Sequence, residues 1–313
     1  MRPRRRRCRP WTWGDPLIRR LLSAFRQQSQ EAAATAVAGD DHPWSLSGRC
    51  NICGHDTRFL CADKALDRES LVCGVCRSTS RYRSIARGVL QAIRELTGLD
   101  VPSLAALKAT PAPRRLRVYD TQVPFRVTTS AYPIPDCLGR LPWIDLETSL
   151  YKPGQAPGTR LNARTSIQNL EALTFRDASF DLVITSDVME HVRLHERAHR
   201  EIARVVRPGG IYLFTVPHFR HRRETFYRVQ IVDPDDPSTD VYLVEKEYHG
   251  DQNAEGGQAL CYRLYGTDID DALDALGFTV EYTRRDVLEH AIRSTELFYC
   301  RKRGARAAGR TTG

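Results

Sequence analysis

Four cysteines stand in two tight pairs, Cys50-Asn-Ile-Cys53 and Cys73-Gly-Val-Cys76, with 19 residues between them. Each Cys-x-x-Cys turn lets two thiolates approach one ion, and two such turns complete the tetrahedral sulfur shell that holds Zn2+. A shell closed by four thiolates leaves no position for water, so such a metal is expected to be structural or to shape a docking surface. Redox pairs or unrelated buried thiols are the alternative. Of the nine cysteines, Cys61 lies between the pairs, while Cys8, Cys137, Cys261 and Cys300 have no partner spacing. A second chemical candidate is the dipeptide Glu190-His191. Imidazole titrates near neutral pH and suits a general base, with the glutamate orienting it or touching an acceptor. The bland alternative is a packing element at a helix start.

These groups need a scaffold. A chain of 313 residues, 41% apolar, can bury one core of ordinary size and still carry a small accessory module. It contains no apolar run long enough to span a bilayer, and the arginine-rich residues 1–9 lack the apolar stretch of a signal peptide. A soluble, cytoplasmic protein is therefore expected, in which cysteines serve as thiols or metal ligands. The net charge of +9 sits at the ends: eight basic residues fall in 1–20 and five in 301–310, against the single acid Asp15. That leaves 34 of the 47 basic and 37 of the 38 acidic residues to 21–300, a middle without the excess that phosphate binding needs. Arginine runs at chain ends read most simply as solvated tails.

Five stretches follow along the chain. Residues 1–45 are basic and expected to be disordered, save for a short helix near 17–27; residues 46–80 form the cysteine module. Residues 81–113 hold a helix with Ile85, Val89, Leu90 and Ile93 on one face, then a proline-rich linker at 102–113. From 114 to 303, β-rich runs alternate with helical patterns, which predicts a doubly wound α/β sheet covered on both faces. Residues 116–120, 181–185 and 211–216 read as strands, and 194–206 as a helix stopped by Arg207-Pro-Gly-Gly210. A helix at 268–276 and two strands near 278–282 and 296–300 close the domain, with the last strand inserted in reverse. Residues 304–313 are expected to be a disordered tail.

The segment Ala178-Ser-Phe-Asp-Leu-Val-Ile-Thr-Ser-Asp-Val-Met-Glu-His-Val192, followed by Arg200-Glu-Ile-Ala-Arg-Val-Val-Arg-Pro-Gly-Gly-Ile-Tyr-Leu-Phe-Thr-Val-Pro217, resembles the class I S-adenosylmethionine-dependent methyltransferases grouped as type 11. A narrower resemblance is to bacterial methyltransferases associated with glycan biosynthesis, in which a cysteine module precedes the core and Glu247-Tyr-His-Gly250 follows the fifth strand. The resemblance implies a seven-stranded Rossmann-like sheet, mostly parallel with one antiparallel strand, beside a zinc-ribbon-like module. It implies S-adenosylmethionine across the carboxyl ends of the central strands, where strand order reverses. Asp120 and Thr121 would meet the methionine moiety, Ser149 the ribose, and Asn169 and Leu170 the adenine. Ser186 and Asp187, ending the fourth strand, complete the implied cofactor contacts, with Glu190 and His191 as catalytic residues. The chain departs from that pattern. No glycine follows Asp120 until Gly139, and Leu150 stands where a ribose-binding acid is usual unless Glu147 or Asp145 takes its place. Asn169 replaces a common aspartate.

Loops after the fifth strand build the acceptor pocket in this fold, which draws attention to the insertion 218–265. His218, His221, Arg222, Arg223, Tyr227, Tyr248 and His249 lie within it, a set suited to an anionic or sugar-like acceptor. The run 218–223 reads equally as a solvated face. The leading expectation is methyl transfer to a small molecule or glycan, on oxygen. An RNA methyltransferase gripping phosphate through the cysteine module and tails is one alternative. A catalytically lapsed core acting as a zinc-dependent scaffold is another.

Overall fold

The computed structural model describes residues 45–61, 67–127, 129–251 and 255–304. The basic segment through residue 44, the helix expected at 17–27, Cys8 and the tail from 305 lie outside them. Three short strands, β1 (Ser45–Arg49), β2 (Asp56–Leu60) and β3 (Val72–Cys73), form an antiparallel sheet with Phe59 paired to Cys73. Helix α1 (Ser80–Thr97) follows and ends at Gly98, whose left-handed backbone (φ 80°) turns its N–H onto Arg94 O at 2.8 Å. Its apolar stripe buries Ile85, Ala86, Val89, Ala92 and Ile93, with Leu90 at the margin. Gly88 sits where this helix crosses the sheet. A Cβ there would lie 2.9 Å from Leu297 and 3.2 Å from Leu213, so close contact outweighs the ~1 kcal/mol that a helical glycine costs.

The main sheet contains β4 (Leu116–Asp120), β5 (Ile144–Leu150), β6 (Thr165–Ile167), β7 (Phe180–Ser186), β8 (Val206–Thr215), β11 (Phe278–Thr283) and β12 (Leu297–Lys302). Their order is β11-β12-β8-β7-β4-β5-β6, and β12 runs antiparallel to both its neighbours. This is the expected seven-stranded, mostly parallel sheet with one strand inserted in reverse. Every residue of β7 is buried, as a central parallel strand requires. Strand order reverses between β4 and β7, which opens the crevice at their carboxyl ends. Around the sheet pack α2 (Ile134–Gly139), α3 (His195–Val205) and α4 (Asp268–Ala275). At 207–210 the ladder between β7 and β8 shifts register between Val206 and Ile211, so the Pro-Gly-Gly stop also ends regular pairing.

Two buried clusters cover the two faces. Leu182 and Ile184 of β7 point into one, which joins Leu116, Val118 and Leu213 to Cys50, Ile52, Phe59 and Cys73 of the cysteine module. Val183 points into the other, with Tyr119, Ile202, Tyr212 and Phe214. The stretch expected as a linker is tied down. Leu104 N donates to Asn51 O at 3.0 Å and Ala105 N to Ile52 O at 2.9 Å, and Leu104 and Leu107 are buried.

Candidate functional site

The first cysteine pair lies in the turn after β1, the second at the end of β3. Cys50 Sγ and Cys76 Sγ are 3.7 Å apart, Cys53 Sγ and Cys73 Sγ 3.9 Å, and all four sulfurs lie within 4.8 Å of one another. A disulfide would need ~2 Å. A tetrahedral zinc with ~2.3 Å bonds sets its sulfurs about 3.8 Å apart, which this arrangement matches. Behind the sulfurs, Arg83 is fully buried and donates to Leu71 O, Ser78 O, His290 O and Ala291 O at 2.5–2.8 Å. Burial pulls its guanidinium down to about 10, and the four cysteine sulfurs oppose that.

At the carboxyl end of β4, Asp120 turns inward and is fully buried. One carboxylate oxygen accepts from Tyr132 OH at 2.6 Å and the other from Gln122 N at 3.1 Å. Burial pushes its pKa up to about 7, against those two donors. The folded chain therefore holds this proton more tightly than the unfolded one. Stability from this group is complete below pH ~4 and declines as pH rises through 7. Asp120→Asn is accordingly expected to melt higher than the parent at pH 8, by a few kcal/mol of stability at most, and no higher at pH 4. Melting temperatures across that range test it, and parallel profiles would show that Asp120 does not titrate there.

The loop after β4 leaves polar atoms without partners among the described residues. Thr121 Oγ1 and Gln122 Oε1 are buried and unbonded, while Thr121 N donates to Ile184 O and Gln122 Nε2 to Ser186 O, both at 3.0 Å. Ser149 is buried and hydrogen-bonds Tyr119 OH at 2.7 Å. Leu150 does end β5, as the expected register has it. The two acids considered in its place are engaged along the strand, Glu147 with Arg160 at 2.6 Å and Asp145 with Arg117 at 3.2 Å. Asn169 Oδ1 accepts from Glu171 N at 2.9 Å, and Leu170 is nearly buried.

Ser186 and Asp187 close β7 and meet two arginines from the cysteine-module side. Arg81 Nη1 donates to Ser186 Oγ at 2.5 Å, and Arg68 pairs with Asp187. Glu69 and Glu296 complete the cluster. Burial and Arg81 lower the pKa of Arg68, and the neighbouring glutamates offset them. Asp187 has φ 50°, and its Oδ1 accepts from Thr215 Oγ1 at 2.8 Å. Nothing in the linear spacing of residues 68, 81 and 187 signals this meeting.

The turn 188–191 presents Glu190 and His191. One guanidinium, fully buried Arg263, shapes it by donating to the carbonyls of Met189, Val192 and Arg193 at 2.6–2.8 Å. Tyr262 N adds a bond to Glu190 O at 2.9 Å. Glu190 is 0% exposed, and neither carboxylate oxygen has a hydrogen-bond partner among the described residues. His191 Nδ1 bonds Leu260 O at 2.9 Å, and its Nε2 stands 3.8 Å from Glu190 Oε1. Opposite lies a hairpin from the insertion, β9 (Tyr248–Gly250) and β10 (Gln258–Leu260), which pairs His249 with Ala259. It brings the His249 ring edge-on to His191, centroids 4.9 Å apart. The rest of the insertion set disperses. His218 is buried against Tyr282 and Phe298 with burial lowering it to about 4, Arg223 pairs with Asp271 at the surface, and Tyr248 is exposed. A separate cavity of about 270 Å³ is lined by His195, His199, Tyr227 and Tyr265. Burial lowers His195 to about 2 and His199 to about 3, so both are neutral packing elements there.

Residues 144–214 match the family model described as a methyltransferase domain. The match runs from β5 to β8 and includes Ser149, Asn169, Leu170, Ser186, Asp187, Glu190 and His191. A search of curated proteins finds no match. Among solved structures, the chain is similar to an S-adenosylmethionine-dependent methyltransferase from Methanosarcina mazei, at 10% identity and a TM-score of 0.36, with 61% of this chain and 94% of that one covered. Another, from Mesorhizobium loti, is 18% identical over 63% of this chain and 95% of its own, with a TM-score of 0.35. A third is the Burkholderia thailandensis 1,6-didemethyltoxoflavin-N1-methyltransferase with bound 1,6-didemethyltoxoflavin and S-adenosylhomocysteine. It is 15% identical over 79% of this chain and 96% of that one, with a TM-score of 0.33.

Proposed function

We propose that the chain transfers a methyl group from S-adenosylmethionine to an oxygen of a small-molecule or glycan acceptor, and that its four cysteines hold a structural Zn2+. The methyltransferase class rests on the domain match and on the strand order. The observation that carries the site is the pair of buried, unbonded atoms Thr121 Oγ1 and Gln122 Oε1 at the end of β4. Buried polar atoms cost stability when unpaired, and a ligand laid against this loop would satisfy them. Thr121, Gln122, Ser149 and Asn169 would hold the cofactor, with Arg68 and Arg81 nearest the ends of β4 and β7 in place of a glycine-rich loop. When bound, the cofactor supplies an electrophilic methyl group on sulfur.

The chain's own work is positioning and proton transfer. His191 donates Nδ1–H to Leu260 O, which leaves the Nε2 lone pair to take the proton of an acceptor hydroxyl. Glu190 beside it favours the charged ring that results. His249 and Tyr248, on the hairpin, form the acceptor side. Isothermal calorimetry of the zinc-loaded full chain is expected to show micromolar S-adenosylmethionine binding, weakened about tenfold in Gln122→Ala. An absence of heat with loaded protein would overturn this reading. It would favour the scaffold instead, which draws support from the commitment of Asp120 to Tyr132 and the closed arginine cluster.

A further inference from the structure

The carboxylate of Glu190 is the least satisfied charged group described in this fold. It is wholly buried, and among the described residues neither of its oxygens has a hydrogen-bond donor. An isolated carboxylate is strongly disfavoured in such a place unless a cation stands against it. Arg68 and Arg81 act on it electrostatically, but neither hydrogen-bonds it, because their bonds go to Asp187, Glu69, Ser186 and Tyr82.

We propose that Glu190, His191 and His249 bind a divalent metal ion, distinct from the metal of the four cysteines. One ligand atom from each of the three lies within 4.8 Å of the other two. Metal–nitrogen bonds of ~2.1 Å place neighbouring ligands about 3–3.4 Å apart, so closure by at most about 1.4–1.8 Å brings the three onto one ion. Each imidazole is already held as a metal ligand is held, with one nitrogen tied back. His191 Nδ1 bonds Leu260 O at 2.9 Å, and His249 Nε2 bonds Glu247 Oε1 at 3.1 Å. Glu247 is fixed in turn by Arg228. Such carboxylate and carbonyl partners orient ligating histidines and raise their basicity. Each ring keeps one nitrogen outside these bonds for the ion.

Two histidines and one carboxylate leave open positions on the ion, unlike the closed cysteine shell. An acceptor hydroxyl in an open position would lose its proton near neutral pH. The inference rests on reading this pocket as the acceptor site, and it moves that deprotonation from the imidazole to the ion.

The test uses the full chain with zinc in its cysteines and Mn2+ as the probe, because a hard ion competes poorly for thiolates. Electron paramagnetic resonance of free Mn2+ is expected to show one equivalent bound. His249→Ala and Glu190→Gln should each weaken that binding by more than about tenfold, with zinc content unchanged. The half-buried His249 makes its variant the safer one for folding, and near-UV circular dichroism checks it. No Mn2+ bound by the parent, or undiminished binding in His249→Ala, would overturn the proposal. Calorimetry with S-adenosylmethionine separates it from the functional reading: Mn2+ bound without cofactor binding leaves the metal site standing and removes the methyl transfer.

Discussion

Stripping the metal from the four cysteines, or replacing Cys73 with serine, is expected to unfold the seven-stranded sheet together with the small module. Cys50 and Cys73 belong to the same buried cluster as Leu116, Val118, Leu182 and Leu213, so the module and the sheet face share one core. A structural zinc contributes about 10–16 kcal/mol to folding in small metal-binding peptides. Whole domains are stable by only about 5–15 kcal/mol, so losing a metal would remove an amount comparable to the entire stability of the sheet. Chelation followed by near-UV circular dichroism and thermal melting reads the outcome. A single lost transition is expected. A sheet that melts unchanged after complete zinc removal would show that the module is an independent appendage.

Arg83→Ala is expected to cost about 3–5 kcal/mol in urea unfolding, near the largest effect a single side chain can have here. The guanidinium stacks 4.4 Å from the Phe59 ring and serves four backbone carbonyls, three of them through buried bonds. Truncation takes a donor from each of those carbonyls, leaving Ser78 O only its bond from Cys73 N, opens a cavity and removes the cation beside the four cysteines. Arg83→Lys keeps the charge but cannot reproduce a planar fork, so it should recover only part of the loss. Full recovery by lysine would mean that charge alone matters. Zinc affinity measured on both variants should fall in the same order.

These two predictions rest on features of unequal visibility in the linear sequence. The cysteine cluster was legible because ligand spacing is a local property, and the structure brings all four sulfurs together. Strand β4 was legible to the residue, since a short apolar run ending in Asp120 carries its own boundaries. The reversed last strand followed from its place after α4. The role of Arg83 was not legible, because two of its acceptors, His290 and Ala291, lie some two hundred residues away. The same holds for His249, which reaches His191 only through the register of β9 with β10. The bond from Tyr132 to Asp120 was not legible either, because it is set by the packing of residues 131–138 rather than by any motif. The stretch 102–113 looked loose because prolines and small residues dominate it. Its Leu104 and Ala105 nonetheless bond the first cysteine turn, and Leu104 and Leu107 are buried.

The contact between the cysteine module and residues 288–291 bears on how the chain is made. His290 Nδ1 bonds Arg49 O at 2.8 Å, and Arg83 needs the carbonyls of His290 and Ala291. Domains emerge from the ribosome amino end first, at about 5–20 residues per second. For ten seconds or more by that rate, the cysteine segment is outside the tunnel while its last partners remain unsynthesised. Loop closure over such a span is slow, so a zinc held by the four cysteines, as proposed, would have to keep the half-built module in shape until the carboxyl-terminal hairpin arrives. Zinc supply during translation, more than afterwards, would then set the yield of native protein.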